Sequence, residues 1–234
     1  TALLIFLFTS LFMQAQTTIQ SFYIDFGENN VSGRGSKTET ADVRGNYWNN
    51  VTSPGSHNHL YPQSLALVNS ANEATDLRIE IGTFFNTNGM SGGGGLTSPS
   101  TSLLGDLAVA TATQDYIFLE TYQDYNVIRF RGLDPQKAYR FHTFGSRATD
   151  SERTGYFEFR GENVWQGTLQ MSGAGLGANN YNGNNRNILV SDPVFPDRDG
   201  QIVLTVSKKF KNGMVHINCM KVEELEGLSR PNST

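Results

Sequence analysis

Residues 139–160, YRFHTFGSRATDSERTGYFEFR, alternate with period two at both ends of the stretch. Tyr139, Phe141 and Thr143 share one face and Arg140, His142 and Phe144 the other, while Tyr156, Glu158 and Arg160 oppose Phe157 and Phe159. A chain patterned this way needs a sheet with one buried face and one wet face. The spacing predicts two strands paired as a hairpin, joined by a tight polar loop that carries Arg147 and Arg153.

The same short alternating runs recur along the chain. Strands are expected at 22–27, 46–52, 64–68, 77–85, 116–120, 126–131, 163–169, 187–190, 201–207 and 214–223, with turn residues between nearly all of them. Pro135 in Leu133-Asp134-Pro135-Gln136-Lys137 is pre-set for the first central position of a turn. One stretch, 101–112, reads as helix, with Leu103, Leu107 and Ala110 on one face. It is expected to cap one end of the fold. The class is therefore all-β, an antiparallel sandwich with one short helix, and 234 residues suit a single large domain of this kind. Twenty-four glycines and only 17% charged residues agree with a turn-rich chain. The glycine run 92–95 lacks the lysine that a phosphate cradle requires and reads as loop.

The apolar run that opens the chain, followed by Met13-Gln14-Ala15-Gln16, has the form of a signal peptide truncated at its start. Residues 1–15 are assigned to it, 20–224 to the β-sandwich module and 225–234 to a linker. The run is too short for a comfortable membrane span, so the mature chain is expected to carry none and to be secreted or held at the cell surface. Cys219 is the sole cysteine, which rules out an internal disulfide, and its apolar neighbours predict a buried thiol. A net charge of -4, with no basic run beyond Lys208-Lys209-Phe210-Lys211, argues against a nucleic-acid partner.

Catalytic patterns are not found. No Gly-x-Ser-x-Gly pentapeptide occurs, so Ser146 reads as a turn residue. His57-Asn58-His59 lacks a third ligand at recognisable spacing. Glu80, Glu120 and Glu158 sit in mid-strand, where outward-facing acids are common. Sugar recognition is better served, because it needs a flat apolar ring beside amides or forked donors. Tyr47, Trp48 and Asn49, flanked by Asn46 and Asn50, supply the first, and Arg147 and Arg153 the second. These five are the candidate ligand-binding residues. Trp48 could equally close the sandwich as a core residue, and Arg147 could clamp Asp150 or Glu152 of its own loop.

Phe22-Tyr23-Ile24-Asp25-Phe26-Gly27, Gly45-Asn46-Tyr47-Trp48-Asn49-Asn50-Val51-Thr52, Gly132-Leu133-Asp134-Pro135 and Phe144-Gly145-Ser146-Arg147 carry a resemblance. The chain resembles the non-catalytic, galactose-binding-like jelly-roll modules of secreted bacterial proteins, often of the Bacteroidetes type. The resemblance implies an exported accessory module that binds carbohydrate or cell-surface polysaccharide, often attached to carbohydrate-active enzymes such as SGNH-type esterases. The Gly-Asp-Ser block and late Asp-x-x-His of such an esterase are absent, since Gly105-Asp106 is followed by Leu107. A catalytic domain would then lie beyond Thr234, and this chain would be the N-terminal part of the enzyme. A structural or adhesive surface module is the other alternative. The resemblance also implies a structural calcium, for which Asp25, Glu28 and Asp42 are the candidate ligands.

Overall fold

Each strand carries an apolar face, and the fold is the arrangement that hides those faces from water. The structure, a computed structural model, describes residues 16–28, 35–39, 41–52, 59–88 and 94–230. The proposed signal peptide, His57 and Gly92-Gly93 therefore lie outside the described residues. The strands within them form three sheets. The first has the order β12 (Leu189–Val190), β9 (Ala138–Phe144), β15 (Cys219–Glu226), β1 (Thr17–Gly27), β2 (Trp48–Thr52). The second has six strands: β11 (Val164–Ser172), β10 (Arg153–Arg160), β13 (Ile202–Lys208), β8 (Tyr125–Arg131), β5 (Ala74–Ile81) and β4 (Gln63–Val68). The third is small: β14 (Val215–Ile217), β7 (Tyr116–Leu119), β6 (Phe85–Asn88), β3 (His59–Leu60). Neighbours run antiparallel except β1 and β2, which are parallel. The fold is an all-β sandwich.

The faces of β9 and β10 are those the alternation predicts, but the two strands do not pair. β9 pairs with β15 and β12, whereas β10 pairs with β11 and β13 in the other sheet. The loop between them crosses the sandwich instead of turning a hairpin. Each strand buries its aromatic face against the other's, and Phe141 stacks on Phe159 with centroids 4.2 Å apart and planes 18° apart. Phe130 of β8 meets Phe141 at 5.0 Å. Such ring pairs contribute about 1 kcal/mol beyond the area they bury.

Two expected strands are each divided between sheets. Residues 77–85 become β5 and β6, and 214–223 become β14 and β15, parted at Asn218. The division changes which side chains point inward. Val215 and Ile217 enter the core from β14, but Met220 and Val222 do so from β15. Asn218 itself is fully buried and holds the crossing, because its Oδ1 accepts from the Ser146 amide at 2.7 Å. Its Nδ2 donates to the carbonyls of Thr113 and Asp115 at 2.9 and 2.8 Å.

The helical stretch is real but broken. Thr101–Leu104 (α1), a 3₁₀ turn Gly105–Leu107 and Ala110–Thr113 (α2) follow one another, and Gly105 at φ +52° interrupts the register. Leu104, Leu107 and Ala112 are consequently buried, while Leu103, predicted to face inward, is 43% exposed. The segment covers the outer face of the five-stranded sheet, packing on Tyr23, Trp48, Phe144 and Cys219, and does not cap one end. Asp106 ties it down through Lys221 at 3.1 Å and the Tyr23 hydroxyl at 3.2 Å. Cys219 lies fully buried beneath it as a free thiol. At the C-terminal end Leu228 packs near Leu225, and Arg230 reaches Glu162 at 3.2 Å, so the chain assigned as linker is docked as far as Arg230.

Candidate functional site

The third sheet follows the period-two rule across its strands. Leu60, Phe85, Ile117, Leu119, Val215 and Ile217 point into the core. His216, Phe118, Asn86 and His59 are register partners and therefore form one row on the opposite face. Three strand intervals make that row about 14 Å long. Tyr116 stands one step along it. The row is a ladder of rings: Phe118 stacks on His216 with centroids 5.7 Å apart, and Tyr116 meets His216 edge-on at 4.8 Å.

Arg147 and Arg153 both come to the His216 end of this row. Arg153 leaves the first residue of β10 and donates from Nη1 to His216 Nε2 at 3.0 Å, and it lies 3.0 Å from Met214 Sδ. Arg147 follows β9 and donates from Nη1 to the Tyr116 hydroxyl at 3.0 Å, its guanidinium 6.0 Å from that ring's centroid. An acceptor role for Nε2 puts the imidazole proton on Nδ1. Burial and the charges of Arg153 and Arg147 hold His216 well below its ordinary pKa, so the ring is neutral. Burial, with Arg147 nearby, also lowers Arg153, which remains charged. The acids of the connecting loop are committed elsewhere. Asp150 accepts from Asn182, and Glu152 accepts from Thr154 and lies 3.7 Å from Lys209.

The His59 end of the row is open. Tyr61, Phe84 and Tyr122 are 46%, 36% and 67% exposed. His59 meets the Tyr61 ring at 6.0 Å and the Phe84 ring at 5.8 Å, both edge-on. Asn86 Nδ2 lies 3.5 Å from the Tyr122 hydroxyl and 3.3 Å from Gln123 Oε1. Gln123 in turn donates to the Phe84 carbonyl at 3.0 Å and accepts from the Glu120 amide at 2.9 Å. Three wet rings thus stand around side-chain amides whose positions are set by the turn after β7. These three were missed in the sequence. The Phe84-Phe85 doublet is the signal that could have found one of them, because adjacent residues of an extended chain face opposite ways and only one can enter the core.

The other sequence candidates are used by the fold. Trp48 is 6% exposed, tilted against Tyr23 at 5.1 Å, with its Nε1–H donating to Asp42 Oδ2 at 3.1 Å. It is buried beneath the helical segment and offers no open ring to a ligand. Asn49 bridges strands through the Tyr23 and Val68 carbonyls and the Val68 amide. Tyr47 is 37% exposed. It stands beside β2, three strands away from β9 in sheet order. Tyr47 and Trp48 therefore do not share one edge with the two arginines.

The calcium candidates also part company. Both Asp42 oxygens serve its own turn, taking the amides of Arg44 and Asn46 and the Trp48 indole. Asp25 instead keeps company with Asp115, 2% and 1% exposed. Asp25 Oδ2 accepts from the Thr38 amide at 3.1 Å and hydroxyl at 3.0 Å, and Asp115 Oδ2 from the Glu28 amide at 2.8 Å. Glu28 is taken by the Thr87 hydroxyl at 2.8 Å. The Oδ1 atoms of Asp25 and Asp115 have no hydrogen-bond partner among the described residues. Burial raises both carboxyls, and Asp25 raises Asp115 further. Among the described residues no three His, Cys, Asp or Glu side chains converge as ion ligands. Two buried carboxyls near one another each hold a proton to higher pH than an isolated one.

Two other hollows lack an aromatic platform of this kind. A groove of about 460 Å³ between Lys37–Val43 and Ala108–Thr111 has no ring in its walls. A smaller one of about 220 Å³ on the six-stranded sheet has Tyr156 beside Glu158, Gln166, Thr205 and Ser207.

No protein-family model and no curated protein matches the sequence. Solved structures overlap parts of the fold. A family 35 carbohydrate binding module from Clostridium thermocellum aligns at 14% identity over 45% of this chain and 76% of that one, with a TM-score of 0.31. A CBM35 from Cellvibrio japonicus Abf62 aligns at 10% identity over 56% and 85%, TM-score 0.31. The ANX1 ectodomain from Arabidopsis thaliana aligns at 12% identity over 60% and 42%, TM-score 0.36. Overlaps of this extent bear on neither ligand nor site.

Proposed function

We propose that the chain is a non-catalytic accessory module that binds carbohydrate, with its ligand on the outer face of the four-stranded sheet. One observation carries the reading. Tyr61, Phe84 and Tyr122 expose their rings together, beside His59, Asn86 and Gln123, leaving apolar ring surface in water that a ligand would cover with a gain. Flat faces suit the C–H side of a pyranose, and amide groups suit its hydroxyls. Phe118, Tyr116 and His216 are buried and the rings at the His59 end are open, so the site is one-sided and a chain ligand would bind at the β3 edge. Export of the protein, and a catalytic domain after Thr234, belong to the same proposal. Reading the gene downstream would check the second through a Gly-Asp-Ser block.

Affinity electrophoresis against a panel of soluble polysaccharides tests the reading. Retardation by at least one glycan, weakened about tenfold in Phe84→Ala, is expected from the loss of one buried ring face. Failure of every glycan to retard the full chain would refute it and favour an adhesive or structural role.

A further inference from the structure

The outer face of the six-stranded sheet carries an order of its own. β8 sends Ile128 and Phe130 into the core and so turns Tyr125, Arg129 and Arg131 outward, while β10 sends Phe157 and Phe159 inward and turns out Tyr156, Glu158 and Arg160. On β5 the outward residues are Asp76, Arg78 and Glu80. Register sorts these side chains into two ends. Tyr156 and Tyr125 are both partners of Ser207 on β13, so they stand two strand intervals apart, about 10 Å, over a residue too small to fill the space between their rings. They are 45% and 60% exposed, and a hollow of about 220 Å³ opens beside Tyr156. Four residues farther along β8, about 13 Å away, Arg129 faces Glu80 in register, and Arg131 faces Arg78 in the next row of the same face.

Charge separates this face from the rest of the chain. Its four arginines stand against three acids, Asp76, Glu80 and Glu158, whereas the whole chain has a net charge of -4. Glu158 is committed to Arg160 at 2.9 Å and Glu80 to Arg131 at 2.6 Å. Arg78 rests on the Ser64 hydroxyl at 3.2 and 3.1 Å, and Arg129 makes no hydrogen bond or ion pair among the described residues. Two guanidinium forks thus remain for a ligand, on the same face as two open rings. Such a surface matches a chain that offers flat C–H faces at one place and carboxylate or sulfate oxygens at another.

We propose that this face is a second binding surface, and that its occupant is an acidic polysaccharide laid along β8, with sugar rings on Tyr125 and Tyr156 and anionic groups on Arg129 and Arg78. The separation of the two ends calls for an extended chain, since one sugar cannot reach both. The proposal takes its ligand class from the carbohydrate reading above but uses none of the rings at the β3 edge. The net charge of -4 makes the local geometry, not general attraction, responsible for the preference.

Isothermal titration of the full chain with polygalacturonate, with a sulfated galactan and with neutral galactan separates the outcomes. At least one acidic polymer should bind about tenfold or more tightly than neutral galactan, and the difference should shrink as sodium chloride rises from about 0.05 to about 0.5 M. Arg78→Gln with Arg129→Gln should remove the acidic preference, and Tyr125→Ala with Tyr156→Ala should weaken the acidic polymer about tenfold or more. Where a double variant does not fold, its two single variants are read in its place. Phe84→Ala with Tyr122→Ala should keep the acidic affinity. Polygalacturonate or the sulfated polymer alone responding names carboxylate or sulfate as the group, and either result supports the proposal. An acidic polymer held no more tightly than neutral galactan, or an acidic affinity unchanged in either double variant of this face, overturns it and leaves the carbohydrate reading standing. Loss of acidic binding in Phe84→Ala with Tyr122→Ala puts that ligand at the β3 edge and overturns it as well. Acidic binding with no neutral polymer held supports this face and counts against the β3 edge. Absence of all binding overturns both.

Discussion

Asp25 and Asp115 are buried carboxyls that make no ion pair among the described residues, and their consequence is a dependence of stability on pH. In the folded chain Asp25 is pushed up to about 7 and Asp115 up to about 9, chiefly by burial, the pair titrating as a unit. Folding takes up protons here, so the contribution is complete below about pH 4 and is lost as the pH climbs through that window. Glu223 works the other way. The His142 hydrogen bond, with help from Lys221, holds it down to about 2, and its contribution is present above the ordinary carboxylate range and lost in acid. The urea midpoint should therefore be greatest near about pH 4 and fall on both sides. Asp115→Asn, which keeps an acceptor for the Glu28 amide, should flatten the alkaline fall and leave the acid one. An alkaline limb as steep as wild type would contradict this account of the pair. Cys219 shares that neighbourhood, and burial, with the charges of Asp25 and Asp115, raises its thiol far out of the reactive range. Trp48 marks a different limit of the residue scale. Tyrosine, tryptophan and asparagine in a row are as good for closing a sheet face as for stacking a sugar, and burial decides between them. Trp48→Ala should lower stability by about 3 kcal/mol in chemical denaturation, the cost of an emptied aromatic site. A change below about 0.5 kcal/mol would show the ring to be dispensable to the fold.

At the scale of elements, the alternation was legible and the pairing was not. Faces depend on neighbours in sequence, and β9 and β10 bury the residues their period predicts. Partners depend on which sheet receives each strand. The polar loop 145–152 is long enough to cross the sandwich, and the stack of Phe141 on Phe159 rewards crossing over pairing. Asn218 shows the same limit. A polar residue inside 214–223 looks like one more wet position, but it is the place where the chain leaves one sheet for another and the parity reverses. Its side chain serves one amide and two carbonyls in the dry interior. Asn218→Leu should strand those three groups and cost about 3 kcal/mol or more, read as a lower urea midpoint with an unchanged slope. A variant as stable as wild type would mean that the crossing is held by packing alone. Gly105 made the helical segment only partly readable, since one positive φ moved the buried face from Leu103 to Leu104.

For the whole molecule, the candidate site was half visible in the sequence. Arg147 and Arg153 stood out because two forks flank one loop, and the fold does bring them to a common pair of rings. Their companions come from β3, β6, β7 and β14, which lie up to 157 positions apart, from His59 to His216, and no local pattern joins those strands. Exposure was the missing quantity: Tyr61, Phe84 and Tyr122 are ordinary residues until the sheet edge leaves them wet together. The claim that unites the account is that this edge holds a glycan. It is tested most directly by titrating a retained neutral polysaccharide into the wild type and into a Phe84→Ala, Tyr122→Ala double variant whose melting temperature has been measured. The account predicts a melting temperature within a few degrees of wild type and an affinity at least about a hundredfold weaker. A folded double variant that binds the polysaccharide as tightly as wild type would contradict it.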